Sequence, residues 1–259
     1  LVDHGMGDIR DVSTFVPSLA MPAYGSRFTS SIYVRGIGSR VNSPSMGVYV
    51  DNIPLSNKTA FNTHLYQTDR VDVLRGPQGT LYGMNAEGGL VRIYSKSPFT
   101  HQGTALKLGL GTAFYRNVEV AHSQQLSSKA AFSLAGFYQG TNGFYRNTQT
   151  DRSADKMDEA GGRFRLMLRP SAHWNIDFIS DYQYVRQNAN PYGVLHLDNN
   201  RVDAPSQNEQ SCYQRNLLTN GLHIQYSGAG FIMQSTTSWQ FLRDRLLMDA
   251  DYSPSDFFK

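Results

Sequence analysis

The chain has 259 residues, a formal net charge of +3 and a single cysteine, Cys212. The small charge, with no long basic run, excludes a track for nucleic-acid phosphates, and one cysteine excludes an internal disulfide or a Cys-x-x-Cys metal site. No run of about 18 apolar residues occurs, so no transmembrane helix is expected; aromatics at 12% and 23 glycines suit a β-rich protein, and a transmembrane β-barrel stays compatible because its strands alternate.

Leu1 is not an initiator methionine, and no basic segment followed by an apolar run opens the chain. Leu1 is therefore expected to follow processing or truncation. Residues 1–98 read as a small α+β domain with a mixed sheet. Strands are expected at Ser31–Arg35, Gly47–Val50, Arg70–Leu74 and Leu90–Ser95, with a helical turn or two around Thr59–Gln67. Within this region lies RVDVLRGPQGTLYG, Arg70 to Gly83. A strand over Val71–Val73 is expected to reverse at Gly76-Pro77-Gln78-Gly79 and resume as an extended run at Thr80-Leu81-Tyr82, ending at Gly83.

Such glycine density serves either a phosphate cradle or tight packing. The cradle fails on spacing: no Lys-Ser or Lys-Thr follows Gly79 or Gly83, as a P-loop needs. Neither Gly36-Ile37-Gly38 nor Gly76–Gly83 supplies a dinucleotide fingerprint. The glycines are expected to allow tight turns where a compact domain fits against a confining wall.

Beyond Pro98 the sequence becomes monotonous. Leu106, Leu108 and Leu110 alternate with Lys107 and Gly109; Phe164, Leu166 and Leu168 alternate with Arg163, Arg165 and Met167. Trp174, Ile176, Phe178, Ser180, Tyr182 and Tyr184 share one face, and Asn175, Asp177, Asp181 and Gln183 the other. Period two over segments of about ten residues marks antiparallel strands with one apolar and one polar face. Strands are expected near 104–115, 117–126, 129–140, 160–169, 173–186, 213–226 and 230–243. Short links at Ser127-Ser128, Pro170–Ala172 and Ser227–Ala229 then fall at one rim. The long polar stretches Thr141–Glu159 and Gln187–Cys212 fall at the other, as in outer-membrane barrels. Phe114, Tyr115, Tyr138, Phe144, Tyr145, Trp174, Tyr182 and Tyr184 are placed for interfacial girdles; core aromatics of a soluble sheet are the alternative.

IYVRGIGSR, GVYVDNIPL, RVDVLRGPQGTLYG and NAEGGLVRIYSKSP follow one another in this order over residues 32–98. Together they resemble the plug domain of TonB-dependent outer-membrane receptors, and the strands after them resemble, more loosely, the start of that family's barrel. The resemblance implies an α+β plug domain (1–98) followed by antiparallel transmembrane β-barrel strands (99–259), part of a barrel of about 22 strands. It implies active import of a ferric siderophore or similar scarce nutrient, with TonB, the ligand and outer-membrane lipid as partners. A non-transporting surface receptor or adhesin is the alternative. No TonB-binding segment is identified before Asp11, and seven strands do not close such a barrel, so the chain is expected to be a fragment of a longer receptor.

Onto this sequence the resemblance carries Arg35, Gly36, Asp51, Arg70, Arg75, Gly76, Pro77, Gly79, Tyr82, Gly83, Gly88 and Gly89 as plug motif positions. It implies that Arg70 and Arg75 pair with barrel carboxylates, while Asp69 and Asp72 stand where the family more often has glutamates. It places Tyr24, Arg27, Arg40, Asn42, Asn57 and Lys58 on plug loops facing the outer vestibule. There Arg27, Arg40 and Lys58 either meet an anionic iron chelate or are solvated loop cations. The seven histidines are scattered without ligand spacing. Asp151, Asp155, Asp158 and Glu159 form an acidic loop whose spacing matches no EF-hand. With no nucleophile–base set on an identifiable scaffold, neither a cofactor nor an enzyme activity is expected.

Overall fold

The computed structural model describes residues 7–38, 44–82 and 85–255. The chain begins with helix α1 (Ile9–Ser13), whose start Asp8 caps reciprocally with Asp11. Strands β1 (Leu19–Ala20), β2 (Tyr33–Val34) and β3 (Ile37–Gly38) form a small antiparallel sheet. A second sheet orders β5 (Ile53–Pro54), β4 (Met46–Val50), β7 (Gly89–Ser95) and β6 (Thr68–Arg75), with β4 and β7 parallel and the other pairs antiparallel. Ile9, Val12, Met46, Val48, Phe61, Val91 and Ile93 are buried together between these elements, and Leu217 joins them from the large sheet described next.

That large sheet is antiparallel and runs β8 (Gly103–Gly111), β9 (Tyr115–Ser127), β10 (Ala130–Thr141), β11 (Met157–Leu168), β12 (Trp174–Asn188), β15 (Cys212–Gly228) and β16 (Phe231–Leu247) in spatial order. The links at 128–129, 169–173 and 229–230 lie at one rim, and those at 112–114, 142–156 and 189–211 at the other. The last of these carries a two-residue hairpin, β13 (Leu195–His196) with β14 (Arg201–Val202). β15 and β16 have 17 residues each, against about 9–11 for a membrane crossing, so both extend beyond an apolar slab.

In the first domain one expectation is met only in part and another fails. Thr59–Gln67 forms only a 3-10 turn, Lys58–Ala60, after which His64 makes an isolated bridge to Asp8. Asn57 closes the turn by accepting from Thr59 N at 3.0 Å, and the following apolar residues Phe61 and Leu65 are spent on the core rather than on a helical stripe. Gly79–Tyr82 is one helical turn, not an extended run. Gly76 N and Gln78 N pair with Gly88 O and Ala86 O, which turns the chain away before it can rejoin the sheet.

The polarity of the large sheet is inverted relative to a soluble one. Leu106, Leu108, Val118, Val120, Leu134, Trp239 and Phe241 are exposed on its outer face. The inner face, against the first domain, buries Arg163, Arg165, Asp177, Gln183, Arg215 and Thr219 beside Ala121, Ala135 and Leu217. A sheet in water would bury the first set and expose the second. One wrapped in lipid with a packed, polar lumen does the opposite.

Candidate functional site

The candidate site is the contact between the first domain and this wall. Its centre is Asp51. Asp51 and Asn52 both have positive φ, 47° and 69°, which makes the two-residue turn joining β4 and β5, a role that short polar Asp and Asn tolerate. Hairpin turns normally face solvent, yet Asp51 is buried. Its carboxylate accepts from Ser95 N at 2.9 Å and Ser95 Oγ at 2.8 Å. The same carboxylate pairs with Arg163 Nη2 and lies 3.4 Å from Arg165 Nη1. Arg163 Nη1 donates to Ser95 Oγ at 2.8 Å, and Arg165 is held from behind by Asp177 at 2.6 Å. Burial pushes the Asp51 carboxyl up, but Arg163, Arg165 and the Ser95 hydrogen bonds outweigh it and hold the group below the ordinary carboxylate range.

Two further sets of contacts lie toward the long-loop rim. Arg27, in the 3-10 turn Arg27–Thr29, pairs with wall residue Glu159 and reaches Asp8 at 3.7 Å. Its backbone N donates to Gln187 Oε1 at 3.1 Å. His64 stacks on Phe137, centroids 3.8 Å apart, with Nε2 3.3 Å from Glu119. Small wall residues make the close fit: a Cβ on Gly221 would meet Ile53 Cδ1 at 2.4 Å. A cavity of about 30 Å³ remains between the two parts, lined by Thr63, His64, Arg163, Asp181 and Thr219 among others.

The residues singled out in the sequence fall into separate groups. Asp51 is the central contact. Arg70 and Arg75 are exposed, and among the described residues neither pairs with a wall carboxylate; Arg70 instead lies over Tyr94 at 4.2 Å and 3.4 Å from Asp72. At the Asp51 contact the group from the first domain is an acid and the wall supplies the arginines. Arg35 and Gly36, both with positive φ, form the β2–β3 turn. Tyr82 accepts from Arg92 Nη1 at 2.8 Å through its hydroxyl, and its carbonyl accepts from Tyr49. Gly76 and Pro77 make the turn out of β6, and Gly88 packs near Ile37 and Met46. Gly89 has φ +135°, and a Cβ there would lie 2.2 Å from Leu74 O, whereas Gly79 has open space around it and is not a tight-packing glycine. Arg27 is buried in its ion pair and does not face the vestibule. Tyr24 and Asn57 are exposed at the long-loop rim, with half-buried Lys58 5.8 Å from the Phe28 ring. Arg40, Asn42 and Gly83 lie outside the described residues.

The acidic loop has its carboxylates engaged: Asp151 by Arg146, Asp155 by the amides of Phe144 and Tyr145, Asp158 by Arg116 and Tyr138. Among the described residues no group of His, Cys, Asp and Glu gathers as metal ligands. The wall residues Glu159, Arg163, Arg165, Asp177 and Arg215 were not singled out as site residues. The available signal was Arg163 and Arg165 on one face of a strand whose neighbour carries Asp177 and Asp181 on the matching face.

Comparison with known proteins places this geometry. A family model described as the TonB-dependent Receptor Plug Domain matches residues 1–90. The vitamin B12 transporter BtuB of Vibrio vulnificus is 26% identical over 145 residues, 52% of this chain and 22% of that protein. Among solved structures, the ferric yersiniabactin uptake receptor FyuA of Yersinia pestis superposes with a TM-score of 0.83 at 21% identity, over 95% of this chain and 40% of the receptor. The ferripyoverdine receptor of the Pseudomonas aeruginosa outer membrane superposes with a TM-score of 0.75 at 18% identity, over 95% and 34%. These structural likenesses are of fold. The chain spans less than half the length of each of these proteins, which are described as a transporter, an uptake receptor and an outer-membrane receptor.

Proposed function

We propose that the chain is part of a TonB-dependent receptor, the plug domain followed by strands of the receptor barrel, and that the whole protein imports a ferric siderophore or a similar scarce nutrient across a Gram-negative outer membrane. The plug, which we take to extend to Pro98, closes the lumen, and TonB supplies the pull that shifts it. The observation that carries this reading is the polarity of the wall. An apolar outer face suits lipid, and a lumenal face of arginines, acids and amides holds the plug.

The same chemistry suits a plug that must move. An apolar interface loses about 25 cal/mol for each Å² it exposes, with no compensation from water. Ionic and amide contacts exchange a protein partner for water when they part, so their net cost is small relative to their number. The Asp51 and Arg27 contacts are of this kind. At the long-loop rim, Tyr24, Asn57 and Lys58 offer hydroxyl, amide and ammonium groups to a ligand bearing anionic oxygens.

The test is genetic. A strain lacking the full-length gene is expected to lose growth on one ferric chelate as sole iron source, and deletion of TonB should give the same loss. Normal growth of the deletion strain on every chelate and on vitamin B12, with ligand still bound at the cell surface, would favour a non-transporting receptor.

A further inference from the structure

Arg215 heads the fully buried side chains by volume, and it is a cation. It projects inward from β15, yet among the described residues no carboxylate lies within ion-pair distance of it. Its bonds all go to neutral oxygens. Nη1 donates to the Thr59 carbonyl, and Nη2 to the Asn62 carbonyl and to Gln183 Oε1, both at 3.4 Å; Nε has no partner. A guanidinium taken out of water and left without an acid is costly. A charge-assisted bond to carbonyl oxygen is the compensation this site offers.

Both carbonyls belong to the plug, in and just after the 3-10 turn Lys58–Ala60. A short helical turn leaves its last carbonyls without partners, and here a side chain of the barrel wall supplies them. Arg27 Nη1 reaches the same Asn62 carbonyl at 3.3 Å. At its start the turn is closed by Asn57, whose Oδ1 accepts from Thr59 N and Oγ1, both at 3.0 Å. The turn is thus fixed at both ends, with Asn57 and Lys58 on its outer edge.

We propose that Arg215 is a positioning residue: the wall guanidinium caps the plug turn and sets where Asn57 and Lys58 stand. Its bearing on ligand rests on the proposal above that this turn contributes to the binding surface. Because the guanidinium has, among the described residues, no other oxygen partners than these and Gln183, the turn cannot lift off the wall without water reaching Arg215. Displacement of the turn and hydration of the wall are one event.

Amide hydrogen exchange on the purified full-length receptor tests the proposal without ligand or TonB. Arg215→Met is expected to speed exchange at residues 59–63 by about tenfold or more, while strands β9 to β11 stay as protected as in the wild type. Arg215→Lys keeps the charge but lacks the fork that spans two carbonyls, so its exchange should fall between the two. Wild-type exchange at 59–63 in Arg215→Met, or equal acceleration throughout the wall, would overturn the proposal. If Arg215→Met fails to assemble as a heat-modifiable barrel, Arg215→Lys alone decides, and wild-type exchange in it counts against the claim. Failure of the growth test leaves this result standing, and a rigid turn in both variants refutes positioning whatever the growth test gives.

Discussion

Removing the Asp51 carboxylate should unseat the plug. In the folded protein it accepts from Ser95 N and Ser95 Oγ and pairs with Arg163, with Arg165 at 3.4 Å. Without it, Arg163 keeps only its bond to Ser95 Oγ, while Arg165 keeps Asp177. Breaking one partner of a buried pair costs about 3–5 kcal/mol. The surviving Arg165–Asp177 pair places this case near the lower end, and ~3 kcal/mol is roughly a hundredfold in the ratio of seated to unseated plug. Ala at φ 47° adds backbone strain, so Asp51→Asn, which tolerates that conformation, isolates the charge. The assay is sensitivity of cells carrying the full-length receptor to a large antibiotic such as vancomycin, with barrel assembly checked by heat-modifiable mobility. Asp51→Asn should leak. A tight Asp51→Asn receptor would refute the reasoning.

The pH dependence follows from the same carboxylate. Its pKa is depressed in the folded protein, so its stabilisation is complete above the ordinary carboxylate range and is lost only as pH falls through the lower folded value. Plug release, read as trypsin access to residues 44–98, should therefore not differ between pH 8 and pH 5 on account of Asp51, and the gap between wild type and Asp51→Asn should close only in stronger acid. At Gly89, φ +135° and the 2.2 Å approach to Leu74 O make Gly89→Ala destabilising by about 2 kcal/mol or more. It should lower the urea concentration at which trypsin reaches the plug, while Gly79→Ala, in open space at the start of a helical turn, should leave it unchanged or raise it.

The wall was legible in the sequence because period two is imposed by lipid and lumen on every strand. Leu106–Leu110, Phe164–Leu168 and Trp174–Tyr184 each declare their two faces, and the observed strands follow them. The plug was legible through its motifs, less so in its local structure. Phe61 and Leu65, within the stretch expected to hold a helical turn or two, serve an irregular core, and Thr80–Tyr82, expected as an extended run, lies in one helical turn. Turn hydrogen bonds from Gly76 and Gln78 decided this, and no periodicity encodes those.

Partner choice was the least legible level, for a physical reason. Alternation assigned Arg163 and Arg165 to the lumen, but which plug residue meets them depends on how far the β4–β5 turn reaches toward the wall. Arg27 and Arg75 show the same point from opposite sides: one pairs with Glu159 and the other meets no carboxylate among the described residues, although both are arginines of the first domain. Charge alone could not separate them, since a loop arginine is equally suited to ligand, wall or water. What separates them is whether a carboxylate on the wall's inner face lies opposite. Among the described strands, the wall between β9 and β15 thus makes Arg27 and Asp51 structural, because Glu159 lies opposite the one and Arg163 and Arg165 opposite the other.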